Sequence, residues 1–456
     1  MRTLIVFLLL ITSLSRSQQL WQPQNSNIPP TEMIVVFSPV NDGACWACTM
    51  DTLNTAPSGY IRTIDGGTTW VYGRISGAGD GIIGQIAAVD ADTAYAAVYV
   101  LSPSNTAGVY KTTNAGSTWT KQNAYGPSTS RYGPGAIHFF DANNGVVVGT
   151  WHPETYTTSD GGQHWNAVTM PPAQSTEYEQ SEMVFAGDCA WFVTAGAGAR
   201  VFRTTNRGYI WYASTVESQN SNWFPCIAFQ DSHTGIYSEK VQENLVPHYY
   251  RKTTDGGATW VPLSNSILDG IAPTGVRYVP GTIATYIIAG GMNSGMRGLA
   301  ITYDVGDHWR LLDSSGALYL GFASDSVGWC SPHQHNNGVC KYVGPRLITS
   351  VEKGITSTPS YILAQNYPNP FNPSTTLRYA LPKDARVTLT IYNILGQRIA
   401  TLKDEVQSVG YYNVVWDGRN EFGSQVTSGV YFYRLEAKPT SSGDAFTSIK
   451  KMMFLK

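Results

Sequence analysis

Thr253-Thr-Asp255-Gly-Gly257-Ala-Thr259-Trp260 is the stretch that decides the fold, because the chain carries it six times. The other copies are Thr63-Ile-Asp65-Gly-Gly67-Thr-Thr69-Trp70, Thr112-Thr-Asn114-Ala-Gly116-Ser-Thr118-Trp119 and Thr158-Ser-Asp160-Gly-Gly162-Gln-His164-Trp165. Two more follow, Thr204-Thr-Asn206-Arg-Gly208-Tyr-Ile210-Trp211 and Thr302-Tyr-Asp304-Val-Gly306-Asp-His308-Trp309. With Trp21 the closing tryptophans fall 49, 49, 46, 46, 49 and 49 residues apart. A fixed period of this length means one supersecondary unit repeated along the chain. Locally each copy reads as a hairpin turn. Asp or Asn folds its side chain onto backbone N–H groups, Gly takes the positive-φ position, and Trp opens the next strand.

Between these turns lies a second repeat, a hydrophobic run, a polar turn and another run. It is seen at Val35-Val36-Phe37 to Trp46, Ile137 to Gly149, Cys226 to Tyr237 and Tyr319 to Trp329, with looser copies near Ile86, Met183 and Val276. Each reads as two strands. Adding the two strands that flank the turn gives four per repeat, the content of a propeller blade. Seven blade starts stand against six turns. Leu20-Trp21-Gln22-Pro23-Gln24-Asn25 resembles the strand after a turn, as in Thr118-Trp119-Thr120-Lys121-Gln122-Asn123, and no turn precedes it. The expectation is an all-β, seven-bladed propeller over residues 18–348, closed by the N-terminal strand, which removes the open sheet edge.

The repeated turn resembles the Asp-box, S/T-x-D-x-G-x-T-W, of sialidase-like propellers. The compact blades are also similar to photosystem II assembly-factor-like propellers. On that reading Asp65, Gly67, Trp70, Asn114, Gly116, Trp119, Asp160, Gly162, Trp165, Asn206, Gly208, Trp211, Asp255, Gly257, Trp260, Asp304, Gly306 and Trp309 are structural residues of the turn. The assembly-factor resemblance implies a largely non-enzymatic binding platform.

Arg2, the apolar run Leu4 to Leu14 and Ser15-Arg16-Ser17 read as a signal peptide cut after Ser17. The run is too short to span a membrane, and the mature chain holds no other candidate span. Export permits disulfides among Cys45, Cys48, Cys189, Cys226, Cys330 and Cys340, and the pairing stays open. Cys330 and Cys340 are placed to face each other across a hairpin. Cys45-Trp-Ala-Cys48 lies in a strand pattern where i and i+3 point to opposite faces, so small core residues are the better reading.

Composition shifts near Arg346, and Ser350 to Ser360 reads as part of a linker over 349–360. Beyond it the alternating runs Val387 to Gly396, Gly410 to Trp416 and Gly429 to Leu435 argue for a small antiparallel sandwich. Residues 361–456 resemble the C-terminal sorting domain of the type IX secretion system, an Ig-like fold. The landmarks are Asn369-Pro370-Phe371-Asn372-Pro373, the IYNILGQ run with Gly396, the Trp416-Asp417-Gly418 turn, the strand opening at Gly429, and Lys450-Lys451 in the basic tail. The resemblance implies passage across the outer membrane by that machinery, attachment to the cell surface or release, and removal of the domain.

Charge divides between the parts. Residues 18–360 hold 17 Lys+Arg and 25 Asp+Glu, and residues 361–456 hold 11 and 7. An acidic propeller argues against nucleic acid as ligand. Binding residues are expected on the loops opposite the repeated turns. Those loops carry Tyr132, Trp151, His152, Tyr178, Trp223, Arg297, His333 and His335, aromatic and polar side chains suited to a protein or glycan. Glycoside hydrolysis needs paired carboxyl groups. Glu177 and Glu239 are the carboxylates to watch, but nothing singles out a pair. Sialidase chemistry fits poorly, since Arg62, Arg203 and Arg251 hold repeat positions and no Arg-Ile-Pro segment precedes the first turn. His333-Gln-His335 lacks an identifiable third ligand, so no metal or cofactor is expected. The sequence therefore favours a secreted or surface-attached binding platform without catalysis, and an extracellular glycoside hydrolase is the alternative.

Overall fold

In the computed structural model the chain is described from residue 20 to 455. Residues 54–57, 102–104, 123–132, 151–153, 173–177, 180–181, 196–199, 217–224, 240–248, 264–266, 269–270, 272, 291–297, 315, 333–337, 348–360 and 367–368 lie outside the description.

The described elements are strands, arranged as seven sheets in propeller order followed by two more at the C-terminus. Blade 1 is typical, with Glu32–Pro39 innermost, then Cys45–Asp51, Gly59–Thr63 and Val71–Arg74 outermost, each antiparallel to the last. Burial falls from the axis outward. In blade 3 the two inner strands, Pro134–Phe139 and Gly145–Gly149, are buried at every residue. The outer strand Val71–Arg74 of blade 1 is half-buried or exposed. This explains why the inner strands read as unbroken apolar runs. A strand sandwiched between neighbouring blades has no polar face. Blade 4 departs from the pattern, because Tyr178–Glu179 and Val184–Ala186 both pair with Cys189–Ala195.

The ring closes as the sequence implies. Trp21–Gln24 pairs with Val339–Tyr342, with Trp21 opposite Tyr342 and Gln24 opposite Val339. The N-terminal strand thus supplies the outer edge of the blade whose inner strands are Ala317–Phe322 and Gly328–Pro332.

The core is divided among the seams between blades. Each closing tryptophan packs in a cluster shared with the preceding blade. Trp119 joins Trp46 and Tyr60 of blade 1, and Trp165 joins Tyr95 of blade 2. Trp211 joins Val146 and Val148 of blade 3, and Trp260 joins Trp191 of blade 4. Trp309 joins Ile236 and Tyr250 of blade 5, Trp21 joins Ile287 and Leu299 of blade 6, and Trp70 joins Trp329 of blade 7. The 46-to-49-residue rhythm is therefore the rhythm of the seams. Cys45 and Cys48 lie in two different seams, on opposite faces of one strand. Burial drives both thiols up, Cys48 to about 12. Cys330 and Cys340 are direct register partners.

The C-terminal residues form a three-stranded sheet of Ile362–Leu363, Thr375–Leu381 and Gly410–Trp416. It faces a four-stranded sheet of Arg398–Gln407, Ala385–Asn393, Gly429–Pro439 and Phe446–Phe454. Their core is separate from the seams and is built on Leu377, Leu389, Ile391, Trp416, Tyr433 and Phe454.

Candidate functional site

The repeated turns are closed by their own side chains. In the first, Asp65 Oδ1 accepts from Thr63 Oγ1 at 2.8 Å and from the Thr69 amide at 2.9 Å. Its Oδ2 accepts from Thr69 Oγ1 at 2.7 Å, and Gly67 N donates to Thr63 Oγ1 at 2.9 Å. Asn114 and Asn206 make the same backbone bonds with an amide oxygen, to Thr118 N and Ile210 N, both at 2.9 Å. In the third and sixth turns a histidine replaces the threonine, and His164 and His308 each place Nδ1 2.6 Å from Asp160 or Asp304. The Thr69 amide and hydroxyl hold the Asp65 carboxyl down at about 2. At Asp255 burial pulls the other way, yet the Thr259 hydroxyl and amide and the Thr253 hydroxyl still hold it at about 2. The final Gly has φ between 84° and 93° in all six turns, where a side chain would be strained.

The basic residue just before the turn's first threonine staples one blade to the next. Arg62 pairs with Asp92 at 2.6 Å, Lys111 donates to Gly161 O at 3.1 Å, and Arg203 donates to Asp255 O at 2.6 Å. Lys252 pairs with Asp307 in the same way. Arg62 and Arg203 thus hold the structural places their repeat position implies.

Three glutamates of the propeller are embedded in its frame. Glu239, one of the two carboxylates singled out by sequence, is buried and accepts from Tyr237 OH at 2.9 Å. Glu32 is fully buried and gathers Thr49, Tyr72 OH at 2.7 Å and Arg74 Nη2 at 2.9 Å, tying strands of blade 1 together. Near the axis Glu182 of blade 4 pairs with Arg277 of blade 6, and Arg277 Nε donates to Leu320 O of blade 7 at 3.0 Å. Burial raises the Glu182 carboxyl, and Arg277 limits the rise. Gln85 of blade 2 reaches the Met183 backbone from both amide atoms, at 2.9 and 3.0 Å. The Glu182–Arg277 and Gln85–Met183 links join blades that are not neighbours. Nothing in the sequence around Glu32, Glu182 or Arg277 announces them, because their partners lie tens to nearly a hundred residues away.

Tyr132, Trp151, His152, Glu177, Trp223, Arg297, His333 and His335 lie outside the described residues. Tyr178 lies in a short strand opposite Ala195.

A second surface emerges on the turn end. The polar turns between the two inner strands bond to the repeated turns of the same blade, for example Gly161 N to Asn143 O at 2.9 Å and Gly256 N to His233 O at 2.7 Å. Both kinds of turn therefore share one end. Their aspartates meet the C-terminal domain. Lys450 Nζ lies 3.2 Å from Asp231 of blade 5, and Lys451 pairs with Asp188 of blade 4. Arg378 reaches Asp325 of blade 7 at 3.4 Å, beside Arg346 at 2.9 Å. Arg207 bridges Asp141 and Asp188 at 2.7 and 2.9 Å. Burial works against the charge of Asp231, but Lys450 and the His233 and Thr234 amides outweigh it and hold the carboxyl low. Within the domain, Phe371 sits between Trp416 and Phe454, and the Asn369-Pro370 and Asn372-Pro373 bonds are cis.

Comparison with known proteins agrees with this architecture. Residues 372–442 match the FlgD Ig-like domain model. The comparison with curated proteins found no match. Among solved structures, YCF48 bound to D1 peptide is similar at TM-score 0.52 and 14% identity, covering 72% of this chain and 96% of its own. YCF48 from Cyanidioschyzon merolae is similar at TM-score 0.53 and 14% identity, covering 71% and 98%. An ancestral GH74 enzyme is similar at TM-score 0.50 and 12% identity, covering 95% of this chain and 63% of its own. At these identities the likeness to solved structures is one of fold, a β-propeller, and the family match adds an Ig-like domain after it.

Proposed function

We propose that this chain is an exported, surface-attached or secreted propeller that acts as a non-catalytic platform for a protein or glycan. Its C-terminal Ig-like domain serves as the type IX sorting signal. The observation that carries this reading is the use the frame makes of its acids. The turn aspartates hold their own turns, and Glu32, Glu182 and Glu239 are each bonded within the ring. A ring stiffened in this way presents the loops of its other end as a binding surface. YCF48, of similar fold, has been solved with a D1 peptide bound, an example of such a ring holding a peptide. The sorting role is supported by the sequence landmarks around the Ig-like match, with Phe371, Trp416 and Phe454 forming part of that domain's core.

The test is a glycan-array and polysaccharide-depolymerisation screen on the full mature chain, with Glu177→Gln and Glu239→Gln beside it. The expected result is binding without release of reducing sugar, unchanged in either variant. Release of reducing sugar that disappears in a carboxylate variant would establish the hydrolase instead.

A further inference from the structure

We infer that the acidic turn end of the propeller is a latch for the chain's own C-terminal domain, and that it keeps Lys450 covered until the domain is pulled away. The inference rests on the reading of that domain as a sorting signal. It adds that the signal is carried masked.

Several observations converge on this surface. The two lysines adjoin in one strand and reach two different blades, Lys450 to Asp231 and Lys451 to Asp188. Arg378, in the other sheet of the domain, reaches Asp325 on a third blade. Three contacts on three blades fix an orientation, which a single ion pair does not. The Lys450–Asp231 pair is largely withdrawn from solvent, with side-chain exposures of 14% and 12%. A pair so placed is screened by salt far less than an exposed one. The charges of the two parts are complementary, with an acidic excess in residues 18–360 and a basic excess in 361–456. The linker between them spans 349–360 on the sequence reading. A short tether keeps the local concentration of the domain high, so modest contacts suffice to hold it.

Asp231 is also replaceable without breaking its turn. In blade 1 the equivalent residue is Asn41, whose Oδ1 accepts from the Gly43 and Ala44 amides at 2.8 Å each. Asp231 Oδ1 accepts from His233 and Thr234 at the same distance. Asp231→Asn therefore keeps the turn and removes the charge.

The experiment is timed acetylation of lysines by an N-hydroxysuccinimide ester on the full mature chain at low ionic strength, read by peptide mass spectrometry. Exposed Lys438 on the neighbouring strand is the internal reference. Reactivity of a covered amine scales with the fraction of molecules in which the domain is released, so Lys450 should react about ten-fold or more slowly than Lys438. In Asp231→Asn Lys450 should approach the Lys438 rate, with the melting of the propeller unchanged. Equal rates for Lys450 and Lys438 in the unaltered chain would overturn the latch, as would protection that survives the substitution. Deleting 361–456 and assaying surface display in the native cell separates the two ideas. Display that persists removes the sorting reading whatever the lysines do. Display that is lost while Lys450 is unprotected in the full chain removes the latch alone.

Discussion

Asp255 shows what one side chain contributes to a turn. Its Oδ1 accepts the Thr259 amide at 2.9 Å and its Oδ2 the Thr259 hydroxyl at 2.6 Å. Asn fills the same place in the second and fourth turns, so Asp255→Asn should shift stability within about 0.5 kcal/mol, whereas Asp255→Ala, which strands the amide, should cost about 1–2 kcal/mol. Urea unfolding at neutral pH checks both. The carboxyl is held below its ordinary range, so its contribution is complete above the unfolded value and is lost as pH falls through the folded one. The advantage of the natural chain over Asp255→Asn should therefore shrink between pH of about 4 and about 2. A gap that widens with acid would contradict the assignment. At this scale the sequence was readable where a residue bonds within its own turn. Asp65, Gly67 and their repeats fall there. It was unreadable where the partner is remote. Glu182 needs Arg277 of blade 6, and the burial of Glu239 is a product of the ring.

At the scale of the element, the closing strand Trp21–Gln24 completes the last blade by pairing with Val339–Tyr342. Trp21 is buried in the seam between blades 6 and 7, with its ring 5.3 Å from Tyr342 and 6.2 Å from Phe322. Trp21→Ala should cost about 3–5 kcal/mol, the range for emptying a large buried aromatic site. A chain shortened to begin at residue 25 should do more, because it uncovers the edge of Val339–Tyr342, and an uncovered edge recruits other chains. Light scattering should show association in the shortened chain and a monodisperse species for the Trp21→Ala variant. The strand was legible because Leu20 to Asn25 copies the strand after a turn. The loops at the opposite end were not legible in the same way. Their lengths and residues differ from blade to blade, so no repeat carries information from one to another.

The whole molecule has two kinds of core. Seven seams bind the ring to itself, and the C-terminal sandwich has its own cluster on Leu389, Ile391 and Trp416. Each seam is shared by two blades, so loss of one blade undermines both neighbours, and the closed ring should unfold as a unit. The sandwich touches the ring through ion pairs, and contacts of this kind resemble transient interfaces more than a shared core. Calorimetry of the full chain should therefore show two transitions. Leu389 is fully buried in the sandwich and Ile288 in the seam between blades 5 and 6. Each substitution to Ala should cost about 2–5 kcal/mol and move only its own transition. Screening the ion pairs with salt should lower the sandwich transition slightly and leave the ring transition in place. A single transition displaced by both substitutions would mean that the two cores fold as one, and that the turn end binds the sandwich far more tightly than its few charged contacts imply.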